Sequence, residues 1–373
     1  MKLQFKQLMA RMLFKTMRVF PIDKKKVVFS SFRGKYNDSP RIISEALSRT
    51  GKAKQVWIVN EGIDVPESIT KAKPKSISSL YHLATARVWV DNSRKEIWVS
   101  KRKKQFYIQT WHGGVCIKKV EKDAEDRLPP VYVESAKNDS KMADIFVSEA
   151  EWRTRNYRSA FWYEGEIVKG GISRKQSIDE AHARKKVLDF FGINDNCHFV
   201  LYAPTFRNNH DLTCYDIDYH ALINCLEKKY GGDWRIIIRL HPNISDSENH
   251  LVYSEKVLNG SDYPILNELL AISDMLITDF SGCMFDAVRR KLKLVLYASD
   301  YDDYLKNERG LYFDLSNFPA PLAKNNSQLL DIVNSFDVKK YEEDCQKMID
   351  QLGFYDVDAT PLIVDRILSV ILK

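Results

Sequence analysis

Residues 274–291 read "DMLITDFSGCMFDAVRRK" and contain one complete strand-to-helix unit. The apolar, β-branched run over 274–281 predicts a buried strand, and the pattern over 282–291 predicts a helix directly after it. The strand ends at a carboxylate and a hydroxyl, Asp279 and Ser281. A strand that leads straight into a helix is typical of parallel α/β sheets, because parallel neighbours need a crossover connection.

The same alternation of strands and helices extends along most of the chain in two series. The predicted strands are 26–31, 55–59, 86–92, 106–111 and 143–148 in the first series, and 198–205, 234–242, 274–281 and 292–299 in the second. Helical patterns lie between most of them, for example over 39–50, 76–85, 216–230 and 264–272. Two such series predict an α/β protein with two Rossmann-like, doubly wound domains.

These patterns give domain boundaries that the structure can be compared with. We expect an amphipathic helix over 1–22, an N-terminal Rossmann-like domain over 23–185 and a C-terminal one over 186–373. Three further helical patterns, over 325–335, 339–352 and 358–372, are expected to close the C-terminal domain.

Composition excludes several classes of protein. Of the 373 residues, 44% are hydrophobic and 12% aromatic, which is enough to fill real cores and unlike a disordered chain. The six cysteines show no C-x-x-C spacing, so no zinc ribbon or redox motif is indicated, and scattered cysteines fit a reducing compartment. No G-x-x-x-x-G-K-[ST] loop and no G-x-G-x-x-G after a strand occurs, which disfavours P-loop ATPases and dinucleotide oxidoreductases. No cofactor and no metal is expected.

Charge is concentrated at the N-terminus. Residues 1–26 hold eight basic residues and one acidic residue, which accounts for the whole formal net charge of +7. The rest of the chain is formally neutral, which argues against a nucleic-acid-binding protein with a broad basic face.

The N-terminal segment has a helical apolar stripe opposite a basic one. Arg11, Lys15 and Arg18 form the basic side, and the apolar side consists of Phe5, Leu8, Met9, Met12, Leu13, Val19 and Phe20. One interpretation is a helix that lies on an anionic membrane surface. The alternative is a helix that packs on the protein's own core with its cations in water.

Polar residues cluster where four predicted strands end. Parallel sheets bind ligands beyond the carboxyl ends of their strands, at the point where the strand order reverses. The residues at these ends are His112, Gly113 and Gly114; Thr205 and Arg207; Arg239 and His241; and Asp279, Ser281 and Gly282. Each alone has an ordinary explanation, since Asp279 or Ser281 can simply cap a helix and a His-Pro pair is common in loops. Four such ends together indicate a site.

The chemistry of these residues suits a phosphate-containing substrate. The helix that begins near Ser281 offers unpaired backbone N–H groups to an anion, and Gly282 leaves room for one. Arg207 and Arg239 can each bind phosphate through two hydrogen bonds. His112 can act as a general base on an acceptor hydroxyl, because an imidazole titrates near neutral pH.

The motifs resemble those of the CDP-glycerol glycerophosphotransferase family, the teichoic acid primases and polymerases. The matching stretches are "QTWHGGVCIKK" (109–119), "YAPTFR" (202–207), "RLHPN" (239–243), "ISDMLITDFSGCMFDAV" (272–288) and "RGLYFD" (309–314). Where the family often has Thr-Pro after Trp-His-Gly, this chain has Gly114 and Val115.

The resemblance implies a GT-B fold, with an N-terminal acceptor domain, a C-terminal nucleotide-donor domain and the site in the cleft between them. It implies transfer of glycerol phosphate or ribitol phosphate from a CDP-polyol to an undecaprenyl-linked saccharide or a growing teichoic-acid or capsule-type polymer. The enzyme would be peripheral, at the cytoplasmic face of the cell membrane.

The resemblance also implies individual roles. His112 would be the catalytic base, His241 would contact the donor phosphate, and Asp279 would support the site. Ser281, with the helix behind it, would bind the diphosphate. A GT-B glycosyltransferase that uses a nucleotide sugar and an inactive membrane-bound scaffold remain the alternatives.

Overall fold

The computed structural model describes residues 2–172, 179–194, 196–207, 216–240 and 251–373, with the side chains of all of these except 2–6 and 307. The helices of this part are α1 Lys2–Met17, α2 Asp38–Ser48, α3 Ile77–Thr85, α4 Pro130–Met142, α5 Glu151–Ala160, α6 Glu180–Phe191, α7 Tyr219–Tyr230, α8 Leu266–Ile272, α9 Cys283–Arg290, α10 Tyr301–Asn307, α11 Asn326–Ser335, α12 Val338–Leu352 and α13 Ala359–Ile371. The strands are β1 Asp23–Ser30, β2 Lys54–Ile58, β3 Thr70–Ala72, β4 Ala86–Asp91, β5 Phe106–Gln109, β6 Ile145–Ser148, β7 Glu166–Lys169, β8 Cys197–Tyr202, β9 Asp233–Ile238, β10 Val257–Asn259, β11 Met275–Thr278, β12 Lys293–Tyr297 and β13 Leu322–Ala323.

The chain divides into two compact units, and the first contains a seven-stranded sheet. This unit comprises Met1–Gly114, Val120–Arg174 and Gly353–Lys373. Its strands follow the order β3-β2-β1-β4-β5-β6-β7, and every neighbouring pair is parallel. The order reverses between β1 and β4, so the carboxyl ends of these two strands are where a Rossmann-like sheet binds its ligand.

The second unit contains a six-stranded parallel sheet of the same design. It comprises Val115–Lys119 and Lys175–Leu352. Its strands follow the order β10-β9-β8-β11-β12-β13, again with parallel neighbours throughout. Here the order reverses between β8 and β11. The predicted pair of doubly wound domains is therefore confirmed.

The helix α13 packs on the sheet of the first unit, although it comes last in the sequence. Ile363, Ile367 and Ile371 recur every four residues, which places them on one side of the helix, and all three are buried. They share a core cluster with Val27 and Val88 of the central strands. Burial of this apolar stripe is what stabilises the position of α13.

The two units differ from the predicted domains in three places. The prediction assigned all of 186–373 to the C-terminal domain, whereas Gly353–Lys373 belongs to the first unit. It also assigned all of 23–185 to the N-terminal domain, whereas Val115–Lys119 and the residues from Lys175 onward belong to the second. Sequence patterns indicate the type of an element and not the unit on which it packs. No local signal therefore showed that these segments belong to the other unit.

Several elements were absent from the prediction for identifiable reasons. The strands β3, β10 and β13 have three, three and two residues, which is too short for a periodic pattern. The strand β7 lies at the edge of its sheet and is only half-buried, so it lacks an apolar run. The helix α5 reads "EWRTRNYRSA" and is mostly polar.

The N-terminal segment does form a helix, α1, which packs against α3. Phe14 anchors it, since this side chain is fully buried and its ring lies 5.9 Å from that of Trp98. Phe5 of the predicted apolar stripe lies outside the described side chains. Within the described residues no helix is both long and apolar enough to cross a bilayer.

Candidate active site

Asn92 joins three loops at the reversal point of the first sheet. It directly follows β4 and is fully buried. Its Oδ1 accepts a hydrogen bond of 2.7 Å from the Phe32 backbone N–H, and its Nδ2 donates one of 2.7 Å to Asp38. Its backbone carbonyl lies 2.9 Å from Nδ1 of His112. The loop after β1, the start of α2 and the loop after β5 are therefore held together by one residue.

This contact defines the chemistry of His112. A carbonyl oxygen can only accept a hydrogen bond, so Nδ1 must donate and Nε2 carries the free lone pair in the neutral ring. The ring stacks on Phe32 with centroids 4.6 Å apart and an angle of 10°. The residue is nevertheless exposed. His112 thus presents a proton acceptor in a fixed orientation.

The electrostatic surroundings favour the neutral form of this imidazole. Desolvation by the protein atoms around the ring lowers the pKa of His112 below its ordinary value, and Arg153 acts in the same direction. The Asn92 carbonyl and the carboxylates of Asp38 and Glu121 oppose this effect. The net result is a base that is unprotonated at neutral pH, as general-base catalysis requires.

The backbone before His112 adopts an unusual conformation. Trp111 has a φ of 57°, in the left-handed region that bulky residues avoid. Its side chain is buried against Phe161, with ring centroids 4.8 Å apart. Its backbone N–H donates to Oε1 of Gln109 at 2.9 Å. Strain of this kind persists only where surrounding contacts enforce it, and it is common at functional sites.

Gly114 lies directly against the carboxylate of Glu149. A Cβ at this position would lie 1.8 Å from Oε1 of Glu149, so any other residue would displace that carboxylate. A Cβ at Gly113 would meet only ordinary contacts at 3.7 Å and beyond. A side chain at position 114 would therefore have to move the flexible end of Glu149, whereas one at position 113 would find room.

Asp279 organises the reversal point of the second sheet. Its side chain is 1% exposed. Oδ1 accepts hydrogen bonds from the backbone N–H groups of Thr205, at 2.8 Å, and Phe280, at 2.6 Å. Oδ2 lies 2.9 Å from Nη2 of Arg207. The ends of β8 and β11 are thereby joined through one buried carboxylate.

Arg207, predicted from the sequence to bind phosphate, is instead engaged with protein groups. Its guanidinium donates to both carboxylate oxygens of Asp300, at 2.5 and 2.9 Å, and pairs with Asp279. Nη1 donates to the backbone oxygen and to Oγ1 of Thr205, at 2.9 and 2.7 Å. Through these contacts Arg207 holds the strand ends in place. The Thr205 hydroxyl, in turn, already accepts a hydrogen bond from Arg207.

Arg239, at the end of β9, has a different environment. Nη1 donates to the backbone carbonyls of Gly260, at 3.2 Å, and Tyr263. Across the described residues no carboxylate lies within ion-pair distance of it. Burial lowers the pKa of Arg239, and Cys283 at the start of α9 opposes this effect. A cation without a carboxylate partner near a helix N-terminus is suited to binding an anion.

The N-terminus of α9 is only weakly capped by side chains. Gly282, at the N-cap position, is exposed and makes no side-chain capping hydrogen bond. Oγ of Ser281 lies 3.5 Å from the Cys283 N–H, which is at the limit of a hydrogen bond. The N–H groups of Met284 and Phe285 already donate to the Ser281 and Gly282 carbonyls, at 3.2 and 3.1 Å, so the weakly bonded Cys283 N–H is the group of this helix end that an anion can recruit.

Lys118 belongs to the second unit, as Asp279 does. The strand-like segment Val115–Lys119 pairs with the "RGLY" stretch, through Lys118 opposite Leu311. Nζ of Lys118 lies 5.3 Å above the ring of Tyr304. Burial lowers the pKa of Lys118 to about 8, reinforced by Arg309 and Arg207 and opposed by Asp279 and Glu308. Lys118 is thus not the solvated surface lysine that "KK" usually indicates, whereas Lys119 is exposed.

The structure groups the predicted residues into two sets. His112, Gly113 and Gly114 lie in the first unit, and the second unit holds Thr205, Arg207, Arg239, Asp279, Ser281 and Gly282. His241 lies outside the described residues.

Sequence reasoning missed Asn92, Asp300 and Arg153. Only Asn92 carried a usable signal, since it ends the predicted strand 86–92 as the other candidates end theirs.

Comparisons with known proteins agree with this arrangement. A family model described as CDP-glycerol:poly(glycerophosphate) glycerophosphotransferase matches residues 12–369. The "teichoic acid poly(glycerol phosphate) polymerase" of Bacillus spizizenii is 26% identical over 389 residues, covering 98% of both chains. The "teichoic acid ribitol-phosphate primase" of the same organism is 31% identical over 290 residues, or 73% of this chain and 72% of that protein. The chain spans 48% and 45% of two longer polymerases.

A solved structure gives the same result. The "wall teichoic acid polymerase TagF" superposes with a TM-score of 0.83 and 26% identity, covering 100% of this chain and 98% of that one. The two Rossmann-like units and this match define a transferase of the GT-B class. The chain belongs to the CDP-glycerol:poly(glycerophosphate) glycerophosphotransferase family.

Proposed function

We propose that the protein transfers a polyol phosphate, glycerol phosphate or ribitol phosphate, from a CDP-polyol to the hydroxyl of a lipid-linked saccharide or a growing teichoic-acid-type polymer. The observation that carries this proposal is His112, a neutral, oriented and exposed imidazole at the reversal point of a Rossmann-like sheet. The weakly capped N-terminus of α9, with Arg239 nearby, supports a diphosphate-containing donor.

In this mechanism the first unit serves the acceptor and the second unit serves the donor. Nε2 of His112 takes the proton of the acceptor hydroxyl while the hydroxyl oxygen attacks the phosphorus next to the polyol. The bond between that phosphorus and the bridging oxygen breaks, and CMP leaves with the electron pair. The N-terminus of α9 and the charges of Arg239 and Lys118 stabilise the diphosphate as negative charge builds on the leaving group.

The test is donor release. The purified protein is incubated with an acceptor analogue and either CDP-glycerol, CDP-ribitol or a UDP-sugar, and the free nucleotide is measured. Release of CMP from one CDP-polyol supports the proposal and identifies the polyol. Release of UDP alone would favour the glycosyltransferase alternative, and release of no nucleotide would favour the inactive scaffold.

Donor affinity is expected to depend on the α9 end of the second unit. Arg239→Met removes a charge-assisted contact of about 1.5–3 kcal/mol, which should raise the Kd roughly 10–100-fold. Ser281→Ala and His241→Ala should also weaken binding, by less for the neutral serine. Calorimetric titration with the CDP-polyol measures this. Arg235→Met is the matched control, because Arg235 lies on the same strand and pairs with Asp233.

The same titration has a pH dependence that involves Lys118. Its ammonium is charged below about 8 and loses the proton above it. Donor affinity should therefore decline as the pH rises through 8, and Lys118→Met should remove that decline while Lys119→Met preserves it.

Unchanged affinity in Arg239→Met, Ser281→Ala and His241→Ala would move the phosphate site elsewhere.

We further propose that α1 places the enzyme on an anionic membrane, at the cytoplasmic face where a lipid-linked acceptor would lie. Phe14 fixes the helix to the first unit, while Leu8, Met9 and Met12 are 54%, 52% and 56% exposed. Arg11 and Lys15 are also exposed on this helix. An outward apolar stripe flanked by cations fits a surface of anionic headgroups over acyl chains.

The membrane prediction is tested by substitution, since deletion of the helix would uncover the core around Phe14. Arg11→Glu with Lys15→Glu should abolish binding to anionic vesicles, because each cation near the surface contributes about 1 kcal/mol. Leu8, Met9 and Met12 changed together to Ser should do the same, and Leu362→Ser, an exposed leucine of α13, is the control. Binding that is equal for neutral and anionic vesicles and insensitive to salt would contradict the electrostatic part.

A further inference from the structure

Arg153 is a buried cation that the mechanism above does not use. It lies on α5 and is 1% exposed. In the described part of the chain no carboxylate is within ion-pair distance of its guanidinium. A buried, unpaired charge is costly, so its other contacts must compensate for the lost hydration.

Those contacts lead to the loop that carries His112. Nη2 of Arg153 donates to the backbone carbonyl of Gly113 at 3.0 Å and also to that of Gly114. Nη1 donates to Oδ1 of Asn156 at 2.6 Å. The guanidinium carbon lies 5.2–5.7 Å from the ring centres of three aromatic side chains, Trp152, Tyr157 and Phe161. One arginine therefore holds two consecutive peptide carbonyls of the Gly-Gly pair.

This arrangement determines which edge of the backbone is presented outward. In a trans peptide the C=O and the following N–H point in opposite directions. With the Gly113 carbonyl directed at Arg153, the N–H of Gly114 is directed away from it. A carbonyl edge repels a phosphate, whereas an N–H edge attracts one.

We propose that Arg153 is a positioning residue that holds the His112–Gly114 loop with its peptide N–H edge, rather than its carbonyl edge, towards the reacting phosphate. This inference rests on the proposed function for the identity of the anion. Arg153 acts only through the loop. Without it, the Gly113 and Gly114 carbonyls are free to rotate, and the imidazole beside them loses its fixed orientation.

A structural arginine without this role would affect stability alone, so the test uses readouts that stability does not move. The charged groups that face His112 are Asp38 from α2, Glu121 and Arg153. Removal of Arg153 removes an effect that lowers the His112 pKa. Its loss should therefore raise that pKa and move the acidic limb of the rate profile to higher pH.

Two variants separate charge from geometry. Arg153→Lys keeps the charge and loses the fork that spans two carbonyls, so kcat should fall about 10–100-fold with little change in the His112 pKa. Arg153→Met should lower kcat at least as much and also raise the His112 pKa, followed by NMR of labelled histidine. Donor Kd should rise by much less than kcat falls in both variants, because the diphosphate is held mainly by the second unit. Arg158→Met, an exposed arginine of the same helix, is the control and should match the wild type.

The outcomes are distinct. Arg153→Lys with wild-type kcat would overturn the proposal, and this variant decides the matter should Arg153→Met fail to fold. A reduced kcat with an equally weakened donor Kd would also overturn it, because the effect would then lie in the donor site. If the wild type releases no CMP at all, the proposed function fails, while an unchanged His112 titration in folded Arg153→Met would reject the loop contact independently.

Discussion

Replacement of His112 by alanine is expected to lower the turnover of CMP release by about 10²–10⁴-fold, the usual contribution of a general base. The imidazole is the exposed proton acceptor at the reversal point of the first sheet, and its Nδ1 is already bound to the Asn92 carbonyl. Donor affinity should change little, because the donor residues belong to the second unit. The measurement is kcat at saturating donor together with donor Kd.

The pH profile gives an independent check on this assignment. The base must be unprotonated, so the wild-type rate should decline as the pH falls through the pKa of His112. That pKa is lowered by desolvation, so the decline is expected below about 6.5, the ordinary value for histidine. His220→Ala, at an exposed histidine of α7, is the control. Near-normal turnover in His112→Ala would show that another group is the base.

Replacement of Arg207 by methionine is expected to destabilise the second unit by about 3–5 kcal/mol, the cost of breaking a buried ion pair from one side. The change would leave the carboxylates of Asp279 and Asp300 without their cation, and Asp279 is almost fully buried. Denaturant unfolding measures the difference. Arg235→Met, which breaks a partly exposed pair with Asp233, should cost only about 0–1 kcal/mol.

This variant also distinguishes two roles for Arg207. If Arg207 binds the donor phosphate, as the sequence motif alone suggests, the variant should lose donor affinity with little loss of stability. If Arg207 joins the ends of β8 and β11, as its contacts with Asp300 and Thr205 imply, the variant should lose stability first. A stable variant with a strongly raised donor Kd would therefore restore the role predicted from the sequence.

The sequence by itself determined the class of fold and predicted where the candidate site lies. Apolar runs of strand length that alternate with helical patterns indicate parallel sheets, and ligands bind such sheets at the carboxyl ends of the strands. His112, Asp279 and Ser281 were identifiable because each follows its strand directly. Those relations are local in the chain, so a pattern of a few residues is sufficient to reveal them.

The tertiary structure alone decided which polar groups remain available for a substrate. Arg207 and Arg239 look alike in the sequence, yet one is saturated by Asp279 and Asp300 while the other has no carboxylate partner among the described residues. Arg153 contacts glycines that lie 40 and 39 residues away. Hydrogen bonds and ion pairs form between groups that folding brings together, so their partners depend on distances in space that residue order does not encode.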